Sequence, residues 1–265
     1  MNRPGQVLFI PHGGGPLPLL GDARHQQLVQ FLQEFRGKLR RPRAIIVISA
    51  HWEASTLSIT SAATPPLIYD YAGFPPESYQ IRYPAPGLPG LAEELHEMFR
   101  AAGIDSRLDA TRGFDHGLFV PLKLLYPEAD IPCLQVSLVR GLDPETHLRI
   151  GAALATLMED RVLILGSGYS FHNLPLLLRD HGDLEDPGNE AFENWLYQTC
   201  CDESLTSDQR RDDLLAWENA PYARYCHPRE EHLLPLHVCY GVKQTVARRV
   251  FNGRVIGKRT SAYLW

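Results

Sequence analysis

Ala44-Ile45-Ile46-Val47-Ile48-Ser49, followed at once by Ala50-His51-Trp52, is the stretch whose reading decides the fold. A short run that is apolar at every position, rather than at every second one, reads as a strand buried on both faces. Short apolar runs enriched in β-branched residues recur at wide spacing, over residues 7–10, 57–60, 132–138 and 162–165. Between them lie stretches with helical period, over 24–39, 89–102, 118–125, 144–158 and 189–200. Asp143-Pro144-Glu145 supplies helix punctuation: an N-cap, a proline at the first helical position and a first-turn acid. Strands alternating with helices predict an α/β fold with a mainly parallel central sheet flanked by helices and right-handed crossovers. No composition break, internal repeat or low-complexity tract divides the 265 residues, so 1–265 is read as one domain.

Composition mainly excludes. Apolar residues make up 44% and charged residues 22%, ordinary globular usage that argues against disorder and coiled coil. Lys and Arg number 26 against 31 Asp and Glu, a net charge of -5 that gives no general attraction to nucleic acid or an anionic membrane. The most basic stretch, 36–43, interleaves Gly37, Leu39 and Pro42 and reads as a solvated helix end and turn, with a polyanion site as the alternative. No run of about 18 apolar residues is present, which excludes a membrane-spanning helix. After Met1-Asn2-Arg3-Pro4-Gly5 the apolar run is interrupted by Pro11 and His12, too soon for a secretory signal, so a cytoplasmic location is expected. Five cysteines without CxxC spacing predict reduced thiols, not a disulfide framework or a thiolate zinc site.

Eleven histidines are what composition leaves unexplained. His12 directly follows the strand 7–10 in Pro11-His12-Gly13-Gly14-Gly15-Pro16, and His51 follows 44–49. His172 follows 162–165 in Gly166-Ser167-Gly168-Tyr169-Ser170-Phe171-His172-Asn173. Three of the five strand ends thus bring a histidine to the carboxyl edge, where open α/β sheets place their ligand crevice. Imidazoles on a rigid edge give a divalent cation a partial coordination sphere with open positions. Gly13 to Gly15 let the chain turn sharply there; a phosphate cradle is the alternative, but neither the Walker pattern nor GxGxxG is present.

His116, in Phe114-Asp115-His116-Gly117, precedes the helix 118–125, and His227 and His232 lie in His227-Pro228-Arg229-Glu230-Glu231-His232, which opens a late helix. His25, His96, His147 and His181 are read as structural, and His237 as a core residue within the apolar helix 233–242. Two segments lack regular signals. Residues 64–87 form a proline-fixed loop studded with aromatics, either a packed surface loop or a lid or pocket wall. Residues 206–228 are read as a loop leading into the helix that begins near His232.

Taken together, these segments resemble the extradiol class III aromatic ring-opening dioxygenases, of the DOPA 4,5-dioxygenase (DODA) type in the protocatechuate 4,5-dioxygenase catalytic-subunit superfamily. The resemblance is carried by His12-Gly13 with Pro16, Ser49-Ala50-His51-Trp52 and Gly113-Phe114-Asp115-His116-Gly117. It continues through Tyr126-Pro127-Glu128-Ala129-Asp130-Ile131-Pro132 and Gln135-Val136-Ser137, Gly166-Ser167-Gly168 with His172-Asn173-Leu174, and Glu231-His232 with Leu234-Pro235-Leu236. Each fragment is weak alone; six in the family's order over most of the chain are specific. The departure is Gly13-Gly14-Gly15-Pro16, where many relatives have serine and then proline after His-Gly; it bears on substrate identity more than on the metal.

The resemblance implies that His12, His51 and His232 are the metal ligands, with Glu231 the alternative because other branches use a glutamate. It makes His172 the catalytic acid/base and puts His116 beside the substrate. It implies a single catalytic domain with Fe(II) as the working metal, Zn(II) able to occupy the site, and a small-molecule catechol and O2 as reactants. The catechol would be opened to a semialdehyde. Three neutral ligands would leave the metal its full charge and favour a deprotonated catechol. Histidine, which ordinarily titrates near pH 6.5, can both take and give a proton at neutral pH. A zinc hydrolase is the competing enzyme class, and a Memo-type binding protein of the same fold the non-enzymatic one. Tyr69, Phe74 and Phe114 are the candidate pocket walls.

Overall fold

A computed structural model describes residues 5–179 and 185–265. Residues 1–4, where the N-terminal stretch begins, and residues 180–184, with His181, lie outside the described residues. In chain order the strands and α-helices are β1 (Gln6–Pro11), α1 (Gln26–Phe35), β2 (Ala44–Ala54), β3 (Leu57–Thr60), α2 (Pro89–Ala101), β4 (Ser106–Asp109), α3 (His116–Leu125) and β5 (Cys133–Val139). They continue as α4 (Pro144–Ala153), β6 (Val162–Gly168), α5 (Leu174–Leu177), α6 (Pro187–Cys201), α7 (Ser207–Leu215), α8 (Ala223–Cys226), α9 (Leu234–Lys243), β7 (Arg248–Val255) and β8 (Lys258–Leu264).

The strands form one sheet in the order β4-β3-β5-β2-β6-β1-β8-β7. β5, β2, β6 and β1 are mutually parallel, while β3 runs antiparallel to β5 and β8 antiparallel to β1. The predicted α/β architecture is therefore present as a mostly parallel, mixed sheet. Its central strands are mostly apolar because both faces are covered. Val7, Phe9, Ile46, Ile48 and Ile164 pack with Leu95 of α2, Leu148 of α4, Phe192 of α6 and Leu236 of α9 on one face. Leu8, Ile10, Ile45, Val47 and Leu165 pack with Leu28 and Leu32 of α1 and Leu118 and Leu122 of α3 on the other.

Several elements depart from the sequence reading. Residues 206–228 are not a loop: α7 starts at a capping box in which Thr206 accepts from the Gln209 N–H and the Gln209 side chain accepts from the Thr206 N–H. The edge strand β4 and the β7–β8 hairpin are further additions. His51 does not sit beyond its strand. β2 runs on to Ala54, and the pairing with β5 steps from Ile48↔Val136 to Glu53↔Leu138, so the chain from Ser49 to Trp52 bulges out of register and presents His51 from within the strand. No helix among the described residues is long and apolar enough to cross a membrane.

Candidate active site

The bulge in β2, the end of β1 and the loop beyond β6 meet at one edge because β2, β6 and β1 are adjacent and parallel. A cavity of about 480 Å³ opens there, lined by all five of the histidines singled out from sequence: His12, His51, His116, His172 and His232. The imidazole centroids of His12 and His51 are 4.7 Å apart, His12 and His232 5.3 Å, and His51 and His232 4.9 Å. His116 stands 3.9 Å from His51 and 5.4 Å from His12, and His172 stacks on His232 at 3.3 Å.

Four of the five rings are oriented from behind through Nδ1, and His51 Nδ1 lies 4.0 Å from Asp70 Oδ2. Ser167 Oγ gives its one proton to the carbonyl of Gly117, so it accepts from His12 Nδ1 at 3.1 Å, and His12 Nε2 is left with its lone pair. That carbonyl is available because Pro121, one turn along α3, has no N–H to offer it. His116 Nδ1 donates to Asp70 Oδ1 at 2.8 Å, and the His116 N–H donates to the same oxygen at 3.0 Å. One oxygen of Glu231 accepts from His232 Nδ1 at 2.9 Å and lies 3.2 Å from His172 Nδ1. The Nε2 nitrogens therefore converge.

Two facts fit a cation among them. His12 Nε2 and His51 Nε2 lie 2.9 Å apart, and His232 Nε2 is buried with no hydrogen-bond partner. The ligand nitrogens of His12, His51 and His116 lie within 4.8 Å of one another, as do those of His172 and His232 with a Glu231 oxygen. Burial, then the neighbouring imidazoles, pushes His12 and His232 well below the ordinary histidine range. Burial and His116 do the same to His51 against the opposing charge of Asp70. Neutral imidazole is the form that binds a metal.

The carboxylates behave oppositely. Burial raises Glu231, but the bond from His172 and the charges of His172 and Arg229 outweigh it and hold the group below its ordinary value. Asp70 is likewise lowered: burial opposes, and the bonds and charge of His116 prevail. Asp115, buried behind the site, is raised by burial and by Asp70 while accepting from Ser49 Oγ at 2.8 Å, Arg112 at 2.9 Å and Gln135.

The glycine loop is a fixed wall, with no sign of a phosphate cradle. Gly13 has φ +87°, and a Cβ there would lie 2.4 Å from Pro18 Cγ, so only glycine fits. The Gly14 N–H donates to His25 Nε2 at 2.9 Å, and His25 Nδ1 donates to Asp22 at 3.0 Å. His25 is thus structural, as read, with the task of pinning this loop. The aromatic segment 64–87 is also wall: Tyr71 and Phe74 line the cavity beside Tyr169. Of the expected wall residues Phe74 is present, whereas Phe114 is buried in the core and Tyr69 turns away to donate to the Ile81 carbonyl. Asp70, Ser167 and Tyr169 escaped the sequence reading, and Tyr71 entered it only as one aromatic of the loop 64–87. Tyr69-Asp70-Tyr71, an acid between two aromatics, was the available signal for Asp70.

Known proteins are similar to this chain over most of its length. The family model for the catalytic LigB subunit of aromatic ring-opening dioxygenase matches residues 6–260. Dioxygenase tasH of Hapsidospora irregularis is 40% identical over 274 residues, covering 98% of this chain and 85% of that protein. The 4,5-DOPA dioxygenase extradiol of Beta vulgaris is 38% identical over 243 residues, covering 89% and 86%. The crystal structure of an uncharacterized protein from Escherichia coli K12 superposes with a TM-score of 0.79 at 28% identity, covering 98% of this chain and 99% of that one. The chain belongs to the LigB family of aromatic ring-opening dioxygenases and is a metal-dependent extradiol ring-cleaving enzyme of the DODA type.

Proposed function

We propose that 1–265 acts as one catalytic domain in which His12, His51 and His232 hold a ferrous ion, His172 moves the protons, and His116 hydrogen-bonds the bound catechol. The observation that carries the ligand set is the buried, unpartnered Nε2 of His232 beside the His12–His51 pair. When bound, ferrous iron supplies positive charge that favours a catecholate and an electron path to dioxygen. His172 faces the same cavity with Nδ1 held near Glu231, so its Nε2 is free to take a proton from a catechol hydroxyl and return one to the cleaving product. His116, fixed by Asp70, presents its Nε2 to the substrate oxygen. Cys133, Cys200, Cys201, Cys226 and Cys239 are all free thiols, which suits the reducing cytoplasm.

A second ligand set substitutes His116 for His232, favoured by the 4.8 Å grouping of His12, His51 and His116 nitrogens. Metal analysis after loading separates the two: His232→Ala loses bound iron and His116→Ala keeps it, or the reverse. An oxygen electrode with Fe(II)-loaded protein and a panel of catechols tests the reaction. Oxygen uptake with a yellow ring-opened product is the expected result; ester or amide hydrolysis by the zinc-loaded protein without oxygen uptake would overturn it.

A further inference from the structure

The cavity changes character along its depth. Its inner end is buried imidazole, whereas its rim is built from Leu17, Leu174, Leu178, Ile256 and Phe74. Leu178 is 82% exposed and Leu174 53%, and no large apolar side chain among the described residues is more exposed than Leu178. These leucines are held in place. The Asn173 side chain caps α5 by accepting from the Leu176 N–H at 3.4 Å and donates to the Tyr225 carbonyl at 2.7 Å, and Leu177 is 4% exposed against the core. Open apolar surface continuous with a reactive cavity marks a ligand subsite.

The charged residues lining the cavity are Arg24 and Glu231. Arg24 is engaged with Asp22 at 3.0 Å, and Glu231 with His172 and His232. Among the described residues Glu231 is the one carboxylate lining the cavity, so an ammonium group on a substrate finds no uncommitted counter-charge among them. A zwitterionic arm would exchange water for leucine at a cost. An apolar arm gains from the same contact, and 480 Å³ holds more than a single dihydroxybenzene ring.

We propose that the catechol cleaved by this enzyme carries an apolar alkyl or aryl side arm, seated on Leu17, Leu174, Leu178 and Ile256, in place of an amino-acid arm. The assignment rests on the five histidines being the ring-cleaving site. Anaerobic fluorescence titration of the iron-loaded protein with catechol, its 4-methyl, 4-ethyl and 4-butyl derivatives and L-DOPA measures it, with oxygen uptake recorded for each. Affinity rises about fourfold per added methylene, the ratio expected for burying one CH2 group. Four-butylcatechol binds more tightly than L-DOPA, and combining Leu174→Ser with Leu178→Ser reduces the gain to less than twofold per methylene. A flat series in the wild type, or tighter binding of L-DOPA, with oxygen uptake intact, overturns the proposal alone. Absence of uptake with every catechol overturns the site reading and the proposal together. A wild-type dimer that the double serine variant splits, with the chain-length series unchanged, assigns the leucines to a second copy of the chain and also overturns it.

Discussion

Asp70 and Glu231 do for this site what its histidines cannot do for themselves. A neutral imidazole has two tautomers, and a carboxylate at Nδ1 selects the one whose Nε2 lone pair faces the cavity. Asp70 does this for His116 and lies 4.0 Å from His51 Nδ1; Glu231 does it for His232 and His172. Asp70→Ala lowers kcat/KM by about 10- to 100-fold, the usual effect of removing such a support. Asp70→Asn costs less, because its amide oxygen still accepts from Nδ1; steady-state oxygen uptake measures both. His172→Ala leaves anaerobic catechol binding intact and lowers kcat by roughly 10² to 10⁴, a loss read by single-turnover kinetics. His12, His51 and His172 were legible because each closely follows a buried run, while His116 and His232 were legible through the family resemblance. Asp70 was not, since its partner His116 is 46 residues away and only the folded loop joins them.

At the scale of elements, the buried strands could be read because a residue covered on both faces must be apolar. The elements that went unread lack that constraint. α7 reads Ser-Asp-Gln-Arg-Arg-Asp-Asp-Leu-Leu, polar nearly all round, with Arg210 and Leu214 its buried residues. β4 lies at the sheet edge with Arg107 and Leu108 exposed, and β7 forms the opposite edge, so neither carries a continuous apolar run. Helix crossings were likewise invisible. A Cβ on Gly151 of α4 would lie 2.1 Å from the Val238 carbonyl, and one on Gly241 of α9 2.2 Å from the Leu148 carbonyl, so the two helix backbones touch. Gly151→Val forces them apart and lowers stability by about 3 kcal/mol, a fall in Tm of roughly 10 °C in a calorimetric scan. Since α9 begins two residues after His232, the same variant weakens metal retention.

For the whole molecule, buried titratable groups set the acid limit. Burial holds His147 down to about 4 and His227 to about 3, so the unfolded chain, with histidines near 6.5, takes up protons that the folded one refuses. Their contribution is present above pH 6.5 and is lost as pH falls toward 4. Burial lifts Glu193 to about 7, and its contribution has the opposite sign, present below pH 4.5 and lost as pH rises through 7. These three groups by themselves leave a net of about one proton between pH 4.5 and 6.5, or about 1.4 kcal/mol per pH unit, and His12, His25, His51, His232 and His237, also held down by burial, add in the same direction. The metal-free protein therefore melts several degrees lower at pH 5 than at pH 6.5, as calorimetry in matched buffers measures.

The sheet order has a consequence for synthesis. β1, which carries His12 at its end, is bordered by β6 on one side and β8 on the other, and the Val7 and Trp265 backbones exchange hydrogen bonds. The first strand to leave the ribosome thus waits for partners more than 150 and 250 residues behind it. On a growing chain His12 and His51 stay unassembled through most of translation, and the cavity closes only after the strands and the His232 segment far along the chain have joined them.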